Sequence, residues 1–239
     1  CWFGSSMMVL PNSSLKIFKK GDTIETTTSY SLIEEIWHSI THGIGLLLSV
    51  SALTLLCVFA GQSGDGAKIA SALVFGLSLI VMYGASTLYH AIRIPNVKSI
   101  LRQVDHSAIY VLIAGTYTPV SLLGIKGVVG WILFSIAWTI AAFGISLKII
   151  YPQRFHKLSL TLYALMGWMV VFAINPLIEN LTLLPLSLLL AGGLTYTVGI
   201  IFYVWKSLAY SHTIWHFFVL GGSIFHFFVV LLLILESSV

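Results

Sequence analysis

The chain has 239 residues, of which 58% are hydrophobic and only 8% carry a charge. Soluble domains carry about 25% charged residues, so this composition excludes an ordinary soluble globular protein and favours one whose solvent is the lipid bilayer. The net charge of +4 is the difference between twelve Lys and Arg residues and eight Asp and Glu residues. The basic residues are spread over short loops, which argues against a nucleic-acid-binding protein.

The chain begins with a polar segment, residues 1–30, that we interpret as an amino-terminal tail. Ser31 followed by Glu34 is a capping-box pattern, which predicts the start of a helix. The apolar residues that follow recur at helical spacing as far as residue 41. The segment 31–41 is therefore either a short interfacial helix or the first turns of the first membrane span.

Seven apolar runs follow, each close to the roughly 20 residues that an α-helix needs to cross the hydrocarbon core. They cover approximately residues 42–61, 69–90, 105–124, 128–148, 158–176, 183–204 and 213–235. Their polarity does not alternate as it does in membrane β-strands. The sequence therefore predicts an all-α fold, a seven-transmembrane helix bundle over residues 31–239, with residues 124–127 as a tight turn.

The positions of Lys and Arg predict how the bundle is oriented, because cytoplasmic loops are enriched in these residues. With seven spans, ten of the twelve fall on the side of the amino terminus, and only Lys68 and Lys126 fall on the other. We therefore expect the amino terminus in the cytoplasm and the carboxyl terminus outside. The expected location is the cell inner (plasma) membrane, as a multi-pass protein.

Three spans that are distant in sequence carry polar residues to one depth, at the cytoplasmic side of the bundle. These residues are Ser86 and His90 on span two, Asp105 and His106 at the start of span three, and His212 and His216 on span seven. Ionisable side chains at membrane depth are costly and usually serve a function. Their convergence predicts a functional site at this face.

The spacing of the histidines favours a metal site. His212 and His216 are four residues apart, so they project from one helix face, a common arrangement of two zinc ligands. With His90 they form a three-histidine set that leaves the fourth coordination position open, as in catalytic zinc sites. Asp105 could hold or deprotonate a water bound to that zinc. The alternative is that each histidine is a hydrogen-bonded packing residue without a metal.

The remaining histidines are weaker candidates for metal binding. They are His38 and His42 at the start of span one, His106 beside Asp105, His156 in a basic loop and His226 on span seven. The first two could approach the site, but interfacial residues at this position need no special role. His226 lies about 15 Å deeper than His216 along its helix, where we expect it to hydrogen-bond within the bundle or to line a cavity.

Five stretches of this sequence resemble the hemolysin III family, the bacterial branch of the progestin and adipoQ receptor superfamily. They are Glu-Glu-Ile-Trp-His-Ser-Ile-Thr-His-Gly at 34–43, Ser-Thr-Leu-Tyr-His at 86–90, Asp-His-Ser-Ala-Ile-Tyr at 105–110, Ala-Gly-Thr-Tyr-Thr-Pro at 114–119 and Ser-His-Thr-Ile-Trp-His at 211–216. The resemblance covers roughly residues 31–239, and the combination is highly specific although each stretch alone is not. It implies a seven-helix bundle with a cytoplasmic amino terminus, in agreement with the charge distribution.

The resemblance also implies a zinc site. In the adiponectin receptors of this superfamily three motif histidines bind zinc, and they correspond here to His90, His212 and His216. The motif aspartate corresponds to Asp105, which contacts the metal through water, and the motif serine corresponds to Ser86. His38 stands where an asparagine is expected, a departure that lies outside the zinc motifs.

A zinc-dependent hydrolase of an acyl-lipid amide is the function we expect, because the resemblance extends to a wider set that includes the alkaline ceramidases. In this scheme zinc polarises the substrate carbonyl, Asp105 orients the water and accepts its proton, and Ser86 donates a hydrogen bond to Asp105 or to an oxyanion. The expected partners are membrane lipid and the zinc ion. The alternative is a non-enzymatic receptor, a membrane-homeostasis protein or a cytolysin, in which the zinc is structural.

Overall fold

The computed structural model of this chain describes residues 30–151 and 154–236, so all but the last residue of the predicted tail lies outside the described residues. Within them the chain is helical and contains no β-strand. Seven helical segments are long and apolar enough to cross a membrane, as the sequence predicts. The protein is therefore an all-α, multi-pass membrane protein.

The seven spans contain eight α-helices in the part of the chain that the structure describes. These are α1 (Leu32–Ser63), α2 (Gly66–Ala91), α3 (Pro95–Pro119), α4 (Gly127–Ile150), α5 (His156–Trp168), α6 (Ile174–Asn180), α7 (Leu183–Val204) and α8 (Ser211–Leu235). α3 continues into a π-helical turn, Val120–Ile125, within the third span. A 3₁₀ segment, Met169–Ala173, joins α5 to α6 within the fifth span.

The capping box at the start of α1 forms as predicted. The Glu34 amide donates to the hydroxyl of Ser31 at 3.2 Å, and the Ser31 amide donates to the carboxylate of Glu34 at 2.9 Å. From this cap α1 runs without a break to Ser63. Residues 31–41 are therefore the first turns of span one and not a separate interfacial helix.

The third span begins ten residues earlier than we predicted. Proline at the first position starts α3 at Pro95, whereas the apolar run begins only at residue 105. Lys98 and Arg102 lower the hydropathy of these first turns, so an apolar-run criterion leaves them out. The charge of Lys98 is in fact paired, because its ammonium lies 2.9 Å from a carboxylate oxygen of Glu35 on α1. As a result Asp105 lies almost three turns inside its helix and not at its start.

The tight turn predicted at residues 124–127 is present. Lys126 is the single residue between the π-helical turn and α4, with a φ of 59°, and Gly127 follows with a φ of 58°. Glycine adopts this left-handed conformation without steric cost, whereas Lys126 must be held there by its surroundings. The Lys126 amide donates to the Ser121 carbonyl at 2.9 Å, which closes the turn.

The packing of the helices brings the start of α1, the end of α2 and the start of α8 to one end of the bundle. α1 packs along α2, α2 along α3, and α8 along both α7 and α1. α1 and α2 approach closely at Gly45, where a Cβ atom would collide with the ring of Tyr83. Large apolar side chains such as Phe172 and Leu183 point outward instead, as expected for a surface that faces lipid.

Candidate metal centre

Five histidines from three helices meet at this end of the bundle, and we call them the histidine cluster. They are His38 and His42 on α1, His90 in the last turn of α2, and His212 and His216 in the first turns of α8. Ring centroids of contacting members lie 3.5 to 5.4 Å apart. The structure thus brings the three predicted ligands together and adds two histidines from α1.

The carboxylate of Glu35 on α1 holds the ring of His90. Nδ1 of His90 lies 2.6 Å from one carboxylate oxygen, and Nζ of Lys98 lies 2.9 Å from the other. Lys98 also donates to the carbonyl of Tyr89 at 3.1 Å, which ties α1, α2 and α3 together at this point. A carboxylate at Nδ1 keeps the proton on that nitrogen and leaves Nε2 basic, which is the usual support of a metal-ligating histidine.

His216 is held by α1 in a similar way. Its Nδ1 lies 3.1 Å from the hydroxyl oxygen of Thr41 and 3.2 Å from the carbonyl oxygen of His38. The Thr41 hydroxyl donates its own proton to the carbonyl of Trp37 at 2.8 Å, so its oxygen accepts from His216. Nδ1 of His216 therefore carries a proton, and Nε2 retains the lone pair that a metal ligand requires.

One group of three side chains among the described residues offers ligand atoms at a spacing suited to a metal ion. His38, His90 and His212 each provide one ring nitrogen, and these nitrogens all lie within 4.8 Å of one another. Imidazole nitrogens are ligands for zinc, copper, iron and nickel, and buried neutral imidazoles are ready to donate a lone pair. The donor set therefore fits a transition-metal ion.

The position of His38 corrects our sequence analysis. We ranked it as a weak metal candidate, an interfacial residue that could approach the site, whereas its ring centroid lies 4.7 Å from that of His90 and 4.8 Å from that of His212. Its relative exposure is 0%. Since α1 begins at Leu32 and not near residue 42, His38 lies almost two turns inside the helix, which packs against α2 and α8.

His42 extends the cluster toward the middle of the bundle. Its ring stacks on that of His216 with the centroids 3.5 Å apart and the planes 10° from parallel, and it meets the edge of the Tyr83 ring at 5.1 Å. The hydroxyl of Tyr83 donates to Ser223 on α8 at 2.8 Å. We expected an interfacial residue here too, whereas His42 is 1% exposed and its ring supports that of a predicted ligand.

Ser86 and Asp105 lie beside the cluster on the side of His90. Ser86, one turn before His90 on α2, is buried and donates a hydrogen bond to the carboxylate of Asp105 on α3. Asp105 also interacts electrostatically with His90, but it is not a member of the closely spaced ligand group. The predicted contact between these two side chains is therefore present, while their catalytic roles stay predictions.

An apolar cavity of about 450 Å³ lies in the bundle near the cluster, lined mainly by α3, α5, α7 and α8 and by none of the cluster histidines. Tyr203 and Trp215 line it near the cluster, and the ring of Tyr203 lies 6.0 Å from that of His212. The ammonium of Lys206 lies 4.5 Å above the Tyr203 ring, and partial desolvation together with the charge of Arg102 lowers its pKa. A basic group therefore stands at this end of an otherwise apolar cavity.

Two of the other histidines that were ranked as weaker candidates, His106 and His226, lie outside the histidine cluster. His226 lines the deep part of the cavity, where its ring lies 5.5 Å from that of Tyr196. The expectation that it lines a cavity is therefore confirmed. His106 points away from the cluster, and its Nδ1 donates to the carbonyl of Arg102 at 2.7 Å. Its ring faces that of His156 at 6.3 Å. Neither His106 nor His226 belongs to the histidine cluster.

The residues missed as parts of the site are Glu35, His38, Thr41 and His42, all on α1. Glu35, His38 and His42 recur every three or four residues and continue into the small residues Gly45 and Ser49, and Thr41 lies three residues after His38, so they share one helix face. A polar stripe on a membrane helix faces the protein interior, because exposure to lipid is costly. This periodicity, weighed over the whole of α1, was the signal that could have identified them.

The sequence is similar to known proteins over most of its length. The family profile described as Haemolysin-III related matches residues 30–227, which include the whole histidine cluster. The chain is 48% identical over 205 residues to Hemolysin-3 of Bacillus cereus, covering 86% of this chain and 94% of that protein. It is 48% identical over 202 residues to the Hemolysin-3 homolog of Bacillus subtilis (strain 168), covering 84% of this chain and 95% of that protein. A more distant relative is the Monocyte to macrophage differentiation factor of Homo sapiens, which is 28% identical over 182 residues, covering 72% of this chain and 74% of that protein. The resemblance inferred from the motifs is confirmed.

Proposed function

We propose that this chain, which belongs to the haemolysin-III-related family, is a zinc-dependent hydrolase that cleaves acyl-lipid amides at one face of the membrane. One observation carries the proposal, namely that the side chain of Tyr203 joins the lining of the apolar cavity to the histidine cluster. Tyr203 and Trp215 line the cavity, and Tyr203 contacts the ring of His212 at 6.0 Å. A lipid chain in the cavity would therefore present its polar end to the metal centre.

Zinc is the metal we propose, held by His90, His212 and His216 as the family resemblance implies, with His38 close enough to join them. Neutral histidines with a carboxylate nearby that is not a ligand are typical of zinc enzymes. When bound, zinc supplies Lewis acidity, which polarises a carbonyl oxygen and makes water a nucleophile at neutral pH.

Asp105 is the residue that we propose as the proton acceptor. Its carboxylate would take a proton from the attacking water while the water oxygen forms a bond to the amide carbon. The amide C–N bond then breaks, and the same proton passes from Asp105 to the leaving amine. The products are a carboxylic acid and an amine, so atoms and charges balance. Ser86 donates a hydrogen bond to the carboxylate and so keeps it aimed at the site.

The cavity favours an acyl-lipid as substrate. Its volume of about 450 Å³ lies within the range of about 300–1,000 Å³ that is typical of small-molecule sites, and its lining is mostly aliphatic and aromatic. Lys206 at the end near the cluster could pair with a negative group on the lipid. The distribution of Lys and Arg supports a cytoplasmic position for this end, in the bacterial plasma membrane.

The test is an assay of purified protein, reconstituted in lipid vesicles with zinc, against ceramides and other N-acyl lipids. Released fatty acid is measured by mass spectrometry. Asp105→Asn should lower turnover about 10²- to 10⁴-fold while the zinc content stays the same, because a general base is lost but no ligand is removed. Asp65→Asn is the matched control, since Asp65 caps α2 at the opposite end of the bundle.

Two results would contradict the proposal. Turnover that is unchanged in Asp105→Asn would remove the proton acceptor from the scheme. A zinc-loaded wild-type protein that hydrolyses no N-acyl lipid would instead favour the alternative, a non-enzymatic receptor, homeostasis protein or cytolysin in which zinc only joins the helices.

A further inference from the structure

Four histidine rings of the cluster surround one point. The rings of His38, His90, His212 and His216 form six pairs, and the centroid distances in all six lie between 4.7 and 5.4 Å. Four points with six nearly equal separations form a nearly regular tetrahedron. His38 occupies one corner of it, and the three motif histidines occupy the others.

The size of this tetrahedron matches a zinc ion with four imidazole ligands. With a Zn–N distance of about 2.0–2.1 Å and a ring centroid about 1.1 Å farther out, each centroid lies about 3.2 Å from the metal. The edge of a regular tetrahedron is about 1.6 times this radius, so tetrahedral zinc places the centroids about 5.2 Å apart. The observed distances of 4.7 to 5.4 Å bracket that value.

The ring nitrogens also place His38 within the site. The group of nitrogens within 4.8 Å of one another consists of His38, His90 and His212, so His38 offers a ring nitrogen to the same space as two of the motif histidines. His216 is not a member of that nitrogen group, but its ring centroid occupies the fourth corner, and the hydrogen bond from its Nδ1 to the carbonyl oxygen of His38 at 3.2 Å leaves Nε2 as its ligand atom. The family motifs alone leave this fourth corner open.

We propose that His38 is the fourth protein ligand of the metal in this chain, so that the resting site is closed by four histidines. The helix that carries His38 is held on both sides of it. One turn earlier Glu35 contacts His90 at 2.6 Å, and one turn later Thr41 contacts His216 at 3.1 Å. The carboxylate of Glu35 also supplies negative charge next to a dication that four neutral imidazoles leave uncompensated.

A closed site has a consequence for the hydrolase. Catalytic zinc sites keep an open position, whereas structural zinc sites are filled by protein ligands. If the protein is a hydrolase, His38 must leave the metal before substrate reacts, and removing it should leave a permanently open site. This inference rests on the zinc binding of the proposed function, but it does not depend on the hydrolytic step.

The test is zinc K-edge X-ray absorption spectroscopy, which counts imidazole ligands, on the full chain in detergent. We expect four imidazoles in the wild type, and three with one oxygen ligand in His38→Asn. The zinc affinity of His38→Asn should fall at least about tenfold, measured by competition with a chromophoric chelator. His156→Asn, at the same end of the bundle but outside the cluster, should keep four imidazoles and the wild-type affinity.

Three imidazoles in the wild type, or an unchanged count in His38→Asn, would overturn the proposal. His42→Asn should keep four, and a drop to three in this variant would assign the fourth ligand to His42 and so overturn it as well. If His38→Asn does not fold, the wild-type and His42→Asn counts still decide. If the wild type has four imidazole ligands but neither it nor His38→Asn hydrolyses any N-acyl lipid, only the proposed hydrolase activity is refuted. If the wild type has three imidazole ligands and does hydrolyse such a lipid, only the proposal of His38 as the fourth ligand is refuted.

Discussion

Replacing Glu35 with glutamine tests how the protein holds its metal. Glu35 makes two charge-assisted contacts, at 2.6 Å to Nδ1 of His90 and at 2.9 Å to Nζ of Lys98, and its side chain is only 15% exposed. Glutamine keeps the shape of the side chain and can still accept one hydrogen bond. It removes the negative charge that accepts the Nδ1–H hydrogen bond of His90 and that balances Lys98 beside the metal centre.

The expected loss can be estimated from this geometry. Removing a carboxylate behind a metal-ligating histidine lowers metal affinity about 10- to 100-fold, which corresponds to about 1.4–2.7 kcal/mol. Because Glu35 also neutralises Lys98, its loss adds repulsion between an ammonium group and a divalent metal ion. We therefore expect Glu35→Gln to retain zinc stoichiometry at saturation but to release the ion at a lower chelator concentration than the wild type.

The assay is a competition titration of the detergent-purified protein with a zinc chelator of known affinity. Glu34→Gln is the matched control, because Glu34 is adjacent, lies at the capping box and can be replaced there by glutamine. Its zinc affinity should equal that of the wild type. An affinity of Glu35→Gln within twofold of the control would refute the role that we assign to the Glu35–His90 contact.

Three further predictions concern other parts of the bundle. Thr41→Val removes one hydrogen-bond acceptor of Nδ1 of His216 but leaves the other, the carbonyl of His38. Zinc affinity, measured by the same titration, should therefore fall only a few-fold, and the control Thr161→Val should leave it unchanged. Gly192→Ala should lower stability by about 1–3 kcal/mol in thermal unfolding, because its Cβ would collide with the ring of His226, whereas Gly193→Ala meets nothing within 4 Å and should change stability by about 1 kcal/mol or less. In a cysteine-free background, Lys126→Cys should react with a membrane-impermeant maleimide added outside intact cells and Lys206→Cys should not, and the reverse pattern would contradict the predicted orientation.

The membrane spans were predictable where the sequence is uniformly apolar. The sixth span was predicted at 183–204 and α7 has these bounds, because charged residues are absent from that run. The start of α3 was predicted too late and the start of the first span was left open between residues 31 and 42, since the first turns of both helices carry charges that pair with each other across the bundle, as Glu35 and Lys98 do. Hydropathy treats each charge as exposed and therefore cannot recognise such pairs.

The fifth span shows a second limit of apolar runs. The run 158–176 predicted one helix, but α5 ends at Trp168 and a 3₁₀ segment separates it from α6. Pro176 lies in the first turns of α6 and has no backbone N–H. It therefore cannot donate a hydrogen bond that would make α6 a continuation of the preceding helix. The amide of Val170 instead donates to the hydroxyl of Tyr117 on α3 at 2.8 Å, a long-range contact that no local pattern indicates.

Part of the site was predictable from topology alone. Spans that alternate in direction must bring the end of α2 and the start of α8 to the same face of the membrane. The motif histidines on these two helices therefore lie at that face. The contribution of α1 depends instead on its rotation about its own axis, which the close contact between Gly45 and Tyr83 helps to fix. Each motif by itself does not indicate that rotation, which shows only in the polar face along the whole of α1, so His38 was ranked as a weak candidate and Glu35 was left out.

The most direct test of this account is the metal content of the protein purified without chelators, measured by inductively coupled plasma mass spectrometry for the wild type and for His212→Ala. His212 belongs both to the predicted ligand set and to the closely spaced nitrogen group, so its loss should empty the site under either ligand assignment. We predict one zinc per wild-type chain and less than about a tenth of that in the variant, on the basis of a lost direct ligand. A wild-type protein that contains no zinc and takes up none when it is supplied would contradict the metal centre itself.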